Sequence, residues 1–297
     1  MRTRRTTLAA TVAVATLALA ACGGGDEGEE TAAEPSVAEA PEFEAGTTMA
    51  ELAEQGSIRV GTKFDQPGFG LENLSGDVEG FDVEIAEIIA GGLGIEPEQI
   101  EFVESPSAVR EEVLEGGEVD MVVATYTIND KRKERVSFAG PYYVAGQQIM
   151  VASDNTAITG PESLRENADA KVCSVTGSTP SENIRQYLAD PGQLVLFDEY
   201  SQCADALGNG QVDAVTTDNV ILLGFVAESD GQFKLVGEQF TEEPYGIGIP
   251  KGDVAFCEFI NETLAANEEA YAQAWESTAG QVEGAETPTL PEPAPCS

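Results

Sequence analysis

A twelve-residue pattern occurs twice in this chain, 93 residues apart, and it limits the possible folds more than any other feature. The first copy is Leu114-Glu115-Gly116-Gly117-Glu118-Val119-Asp120-Met121-Val122-Val123-Ala124-Thr125. The second is Leu207-Gly208-Asn209-Gly210-Gln211-Val212-Asp213-Ala214-Val215-Thr216-Thr217-Asp218. Each reads as the end of a helix, a glycine turn, and a buried strand that finishes in polar residues. Val109, Val113 and Leu114 supply the apolar face before the first turn, and Cys203, Ala206 and Leu207 before the second. The offset is the size of a small α/β lobe, so two similar lobes are expected. Further strands are legible at residues 58 to 62 and 171 to 175, each leading through a loop toward a helix. Strands alternating with helices imply mainly parallel sheets covered on both faces. Ligands of such sheets bind beyond the carboxyl ends of the strands. Here those ends carry Lys63, Thr125, Thr127, Ser178, Thr179, Thr217 and Asp218.

The ends of the chain are of a different kind. Arg2, Arg4 and Arg5 precede an apolar run from Leu8 to Leu19, the layout of an export signal. That run is shorter than the about 20 apolar residues needed to cross a bilayer. It closes on Leu19-Ala20-Ala21-Cys22, which resembles a bacterial lipobox. Residues 1–21 are then a lipoprotein signal peptide, and Cys22 is the acylated N-terminus of the mature chain. An ordinary cleavage site with a chance cysteine is the alternative. Residues 22–56 are acidic, with Pro35 and Pro41 and no basic side chain, and are expected to be a flexible tether. The folded body divides into lobe 1, residues 57–146 plus 243–297, and lobe 2, residues 147–242. No later segment reads as a transmembrane helix, so the expected location is the outer face of the cytoplasmic membrane, held by lipid.

Charge removes several function classes. The 53 acidic against 15 basic residues give a formal charge of −38, which argues against nucleic acid or an anionic lipid surface as partner. There is no histidine. Ser-His-Asp and Cys-His catalysis and most zinc sites are therefore excluded, and neither a metal nor a cofactor is implied. Apart from Cys22 the cysteines are Cys173, Cys203, Cys257 and Cys296, without Cys-x-x-Cys spacing. In an exported chain two disulfides are the default, and four cysteines allow three pairings. Cys173 with Cys203 and Cys257 with Cys296 is the favoured pairing, because each bridge then stays within one lobe.

Four motifs together resemble the family-3 extracellular solute-binding proteins of polar amino acid ABC importers. They are Gly80-Phe81-Asp82-Val83-Glu84-Ile85-Ala86-Glu87-Ile88-Ile89, then Thr125-Tyr126-Thr127-Ile128-Asn129-Asp130-Lys131-Arg132, then Val136-Ser137-Phe138-Ala139-Gly140-Pro141-Tyr142-Tyr143, and Tyr245-Gly246-Ile247-Gly248-Ile249-Pro250. The resemblance spans roughly residues 57 to 275. It implies the two-lobed, type II periplasmic-binding-protein-like α/β fold, with hinge crossings near Tyr142 to Gly146 and Glu243 to Gly246.

By the same resemblance, Arg132 grips the ligand's α-carboxylate, with Thr125 and Thr127 completing the grip. Asp218 receives the α-ammonium. Thr179-Pro180-Ser181-Glu182 reads as a capping box whose helix start, with Ser178, suits an oxyanion. Tyr200 covers the ligand. Lys63 and Arg110 sit where the glutamate-binding, actinobacterial branch places its cations, so they face the distal end of the ligand. A lone buried charge costs several kcal/mol, so an anion is the expected occupant. L-Glutamate is expected, L-aspartate next and glutamine third. The expected partners are the membrane permease and its ATPase, and the protein is expected to act as a monomer and not as an enzyme. A periplasmic dehydratase of the same fold and an amino acid sensor lipoprotein are the alternatives.

Overall fold

The computed structural model describes residues 36–297. The export signal, Cys22 and the start of the acidic segment lie outside the described residues. Two five-stranded sheets organise the body, with strands and helices numbered in chain order. The first runs β5 (Ile100–Glu104), β1 (Ile58–Thr62), β6 (Met121–Val122), β13 (Glu243–Ile249), β7 (Ser137–Ala145). The second runs β10 (Leu194–Phe197), β9 (Val172–Val175), β11 (Ala214–Asp218), β8 (Gln147–Ala152), β12 (Phe233–Val236). A small sheet of β2 (Asp65–Gln66), β3 (Gly70–Glu72) and β4 (Val78–Glu79) stands beside them. In each large sheet four strands share one direction and a single strand, β13 in the first and β8 in the second, runs against them.

The repeated motif explains this likeness. Its two strands, β6 and β11, hold the same central position in their sheets. Its two aspartates do the same work. Asp120 Oδ2 accepts the backbone N–H of Arg59 at 2.8 Å, and Asp213 Oδ2 accepts that of Lys171 at 2.7 Å. Each carboxylate thus closes the start of the neighbouring strand, β1 or β9, and Asp120 also pairs with the Arg59 guanidinium at 2.7 Å. Burial runs unbroken along β9 and β11, as expected of parallel strands covered on both sides.

Helix α1 is Thr48–Gln55 and α2 is Phe81–Gly92. Gly80, before α2, has φ +132°, and a Cβ there would lie 2.4 Å from the Phe69 carbonyl, so only glycine permits this entry. Ile85, Ile88 and Ile89 of α2 are buried against the first sheet together with α9 (Val254–Ala266) and α10 (Glu268–Ser277). Phe81 and Tyr143 both pack on Trp275, with ring centroids at 5.2 and 5.1 Å. This aromatic group ties β7 to the helices behind it. Shorter helices are α3 (Arg110–Glu115), α4 (Asp130–Lys133), α5 (Ser163–Glu166) and α6 (Thr179–Asn183). Helices α7 (Tyr200–Gly208) and α8 (Asn219–Glu228) bury Cys203, Leu207, Leu222 and Phe225 in the core of the second sheet.

The chain passes between the sheets twice. It leaves β7 and enters β8 through Gly146, and it returns from β12 to β13 through residues 237–242. Glu243 pairs with Ala145 where the two crossings run side by side. Both expected disulfides are formed, Cys173–Cys203 and Cys257–Cys296. The second holds the C-terminal tail, whose Ala294 N–H donates to the Gly140 carbonyl of edge strand β7 at 2.7 Å.

One expectation fails. The acidic segment 22–56 is not a tether over its described part. Ala38 N–H donates to the Gly91 carbonyl, and Phe43 meets Phe259 edge-on at 5.5 Å. Thr47 caps α1, Met49 and Leu52 are buried in the first core, and Gly56 ends the helix in the left-handed region. The acidic composition concealed three apolar side chains at packing positions, Phe43 ahead of the helix and Met49 and Leu52 between a good N-cap and a good C-cap. Among the described residues no helix is long and apolar enough to cross a membrane.

Candidate functional site

The loops leaving β1, β6, β9 and β11 converge between the two sheets. Arg110, Thr125, Thr127, Ser178, Thr179, Tyr200 and Asp218 line one small cavity there, with Ser107, Thr217 and Ile221. Lys63 and Arg132 adjoin it. The Lys63 Nζ lies 6.0 Å from the Tyr200 ring centroid, and Arg132 reaches the backbone of Thr127. The structure therefore gathers all nine residues expected from the sequence.

Three cations are buried here, Lys63 at 2 %, Arg110 at 2 % and Arg132 at 6 % exposure. The guanidinium carbons of Arg110 and Arg132 lie 4.2 and 4.9 Å from the Tyr126 ring centroid, a cation–π platform that helps to hold like charges together. Arg110 Nη1 donates to the Ala124 carbonyl at 2.8 Å, while its Nε has no partner. Lys63 Nζ has none either. Arg132 donates from Nη1 to the Thr127 carbonyl at 2.6 Å and from Nη2 to the Gly177 carbonyl at 3.2 Å, and its Nε faces Glu111 at 3.4 Å. A guanidinium has five N–H donors. One on each terminal nitrogen remains, a fork suited to a carboxylate.

Opposite them stands Asp218. Its Oδ2 accepts the Tyr245 hydroxyl at 2.7 Å, and its Oδ1 is buried without a partner. Burial, then Glu243, push its carboxyl up to about 8, against the pull of the Tyr245 hydroxyl, Arg132 and Arg110. Burial moves Lys63 the other way, down to about 8, helped by Arg110 and resisted by Asp65, Glu199 and Glu104. Burial also lowers Arg132 to about 10. Each of these groups is charged at a cost that a counter-charge in the cavity would remove. Tyr200, likewise buried, is pushed up to about 12 and keeps its proton.

Thr125 shows how the site is fixed. It has φ +45°, a region that a β-branched residue enters only under constraint. Asp82 supplies that constraint by accepting the Thr125 N–H at 2.8 Å, and the Thr125 hydroxyl bonds Gln66 Oε1 at 3.0 Å. Asp82 also takes the Tyr142 hydroxyl at 2.5 Å. Across the cavity the helix cap differs from the expected one. Ser178 is the N-cap of α6, accepting the Ser181 N–H at 3.1 Å, and no capping box forms on Thr179. Thr179 is thereby free to donate to Glu243 at 2.7 Å and to meet the Thr127 hydroxyl at 3.2 Å, a contact between the two halves.

A model of the bacterial extracellular solute-binding proteins, family 3, matches residues 58–275, which include every residue of the cavity. The chain belongs to this family. Among its relatives, the glutamate-binding protein GluB of Corynebacterium efficiens is 42 % identical over 231 residues, covering 74 % of this chain and 77 % of that protein. The ABC transporter glutamine-binding protein GlnH of Bacillus subtilis is 38 % identical over 251 residues, covering 84 % and 87 %. The solved structure of an ancestral arginine-binding protein bound to glutamine is 35 % identical with a TM-score of 0.70, covering 76 % of this chain and 99 % of that one. The fold is thus the two-lobed α/β fold of the amino acid-binding proteins, and close relatives of this family-3 protein bind solutes.

Sequence reading passed over Asp82, Tyr245 and Glu243 as functional side chains. Asp82 carries a local signal, a lone carboxylate between Phe81 and Val83 at a helix start. Tyr245 and Glu243 carry none, because their partners Asp218 and Thr179 are remote in sequence.

Proposed function

We propose that this family-3 protein is the capturing component of an ABC importer for an acidic amino acid, L-glutamate first and L-aspartate next. The observation that carries this reading is the pattern of unsatisfied charge. Buried Lys63 Nζ and Arg110 Nε lack an acceptor, and buried Asp218 Oδ1 lacks a donor. An amino acid with a second carboxylate answers both needs at once. Its α-carboxylate takes the open fork of Arg132 with Thr125 and Thr127, its ammonium meets Asp218, and its distal carboxylate meets Lys63 and Arg110. Ser178 and Thr179 supply further donors, and Tyr200 covers the ligand. The names of the GluB relatives agree with this choice of ligand.

Capture works by closure of residues 147–242 over residues 57–146 and 243–297, about Gly146 and the stretch before Glu243. In this reading the chain is exported, anchored through a lipid on Cys22, monomeric, and hands its ligand to the membrane permease without chemical change. Calorimetric titration with a panel of amino acids tests it. Glutamate should bind most tightly, be recovered unchanged, and compact the protein in solution scattering. Tighter binding of glutamine, arginine or a neutral amino acid would overturn the acidic assignment.

A further inference from the structure

Outside the ligand cavity, a second carboxylate besides Glu243 joins the two lobes. Asp65 opens strand β2 of the first lobe and is 8 % exposed. Its Oδ2 accepts the N–H groups of Tyr200 at 2.7 Å and Ser201 at 3.3 Å, in the first turn of α7 in the second lobe. The N-cap residue of α7, Glu199, makes no side-chain cap bond of its own. The cap of this nine-residue helix is thus supplied from across the cleft. Two residues further, Pro67 seats on α8. A Cβ on Gly224, in the middle of that helix, would lie 2.6 Å from the Pro67 carbonyl oxygen and 3.1 Å from its Cβ. Glycine is a poor choice inside a helix, and this contact accounts for it. Neither Asp65, Pro67 nor Gly224 lines the ligand cavity.

We infer that residues 65–67 form a latch, Asp65 capping α7 and Pro67 seated on Gly224, which favours the closed arrangement whatever the ligand's side chain. The latch rests on the proposal above only in that closure is the capturing step. It is a positioning device. It sets how tightly the lobes hold any occupant, while the cavity chooses the occupant. Closure trades the hydration of the Asp65 carboxylate for two backbone donors whose helix dipole favours an anion.

The test uses two variants, because Asp65 also sits near Lys63. Asp65→Asn removes the charge of the cap. Gly224→Ala blocks the Pro67 contact without touching a charge, and alanine is the better helix former, so unfolding does not explain its effect. Spin labels at exposed Ser75 and Asn209 report the distance between lobes, with the disulfides intact. Both variants should lose short-distance population, with and without amino acid. Their Kd should rise about 5- to 30-fold (~1–2 kcal/mol), and in Gly224→Ala by one common factor for every amino acid that binds. Unchanged distances and unchanged Kd in both variants overturn the latch. So does an unaltered protein that never populates the short distance. If no amino acid binds but the short-distance population still falls in both variants, the ligand assignment fails and the latch stands.

Discussion

The two copies of the repeated motif end on opposite chemistry. The first ends on Thr125, in the half of the cavity that holds Lys63, Arg110 and Arg132. The second ends on Asp218, among the hydroxyls of Ser178, Thr179, Tyr200 and Thr217. The backbones differ too. Thr125 is held at φ +45° by Asp82, whereas Asp218 has an ordinary φ of −68°. One topology thus gives two faces with different duties. The first lobe sets two of its three buried cations, Arg110 and Arg132, over Tyr126 and leaves Lys63 beside Tyr200, as suits an anion. The second lobe brings a carboxyl and neutral hydroxyls, as suits recognition of an ammonium once the lobes shut.

The largest expected effect comes from removing the cation shared by all ligands. Arg132→Met should weaken every amino acid by about 100-fold or more, since breaking a buried ion pair costs about 3–5 kcal/mol. A calorimetric panel checks this, and a loss confined to glutamate would erase the division between the α-carboxylate and distal positions.

Asp218 offers the reciprocal test on the second lobe. With no ammonium beside it, its carboxyl is raised to about 8 in the closed arrangement. A raised carboxyl favours that arrangement at low pH and ceases to as pH rises through its folded value. Glutarate, which is glutamate without its ammonium, should therefore bind progressively more weakly as pH rises toward about 8. Glutamate should not show this loss, and Asp218→Asn should abolish it for glutarate. Titrations across this range read the difference directly.

A smaller effect is expected at Asp82, whose carboxyl is raised to about 7 by burial, against the Tyr142 and Thr125 hydrogen bonds. Its contribution to stability is complete at low pH and is lost as pH rises through about 7. Asp82→Asn keeps an acceptor for Thr125 and should change affinity only a few-fold. Melting curves across pH should lose this slope in the variant.

Much of this design is local in sequence and therefore legible there. The helix–Gly–strand repeat places β6 and β11, and its aspartates serve the strands on which both sheets are built. The site residues sit at or just past strand ends, as Lys63, Thr125 and Asp218 do, or in the short helices that follow, as Arg110, Arg132 and Tyr200 do. What stayed hidden depends on partners far along the chain. Tyr245 on Asp218, Glu243 on Thr179 and Asp65 on α7 become visible only once the lobes meet. The folding of residues 36–56 was masked for another reason. Acidic composition dominates that stretch, while Phe43, Met49 and Leu52 do the packing.

The central claim is that Lys63 and Arg110 read the charge at the far end of the ligand. It is tested most directly by the glutamate-to-glutamine affinity ratio in Lys63→Met and Arg110→Met. Losing a hydrogen bond to a charged group costs about 1.5–3 kcal/mol, so glutamate should weaken about 10- to 100-fold and glutamine much less. The ratio should therefore fall in both variants. A ratio unchanged from that of the unaltered protein would contradict the acidic-ligand assignment.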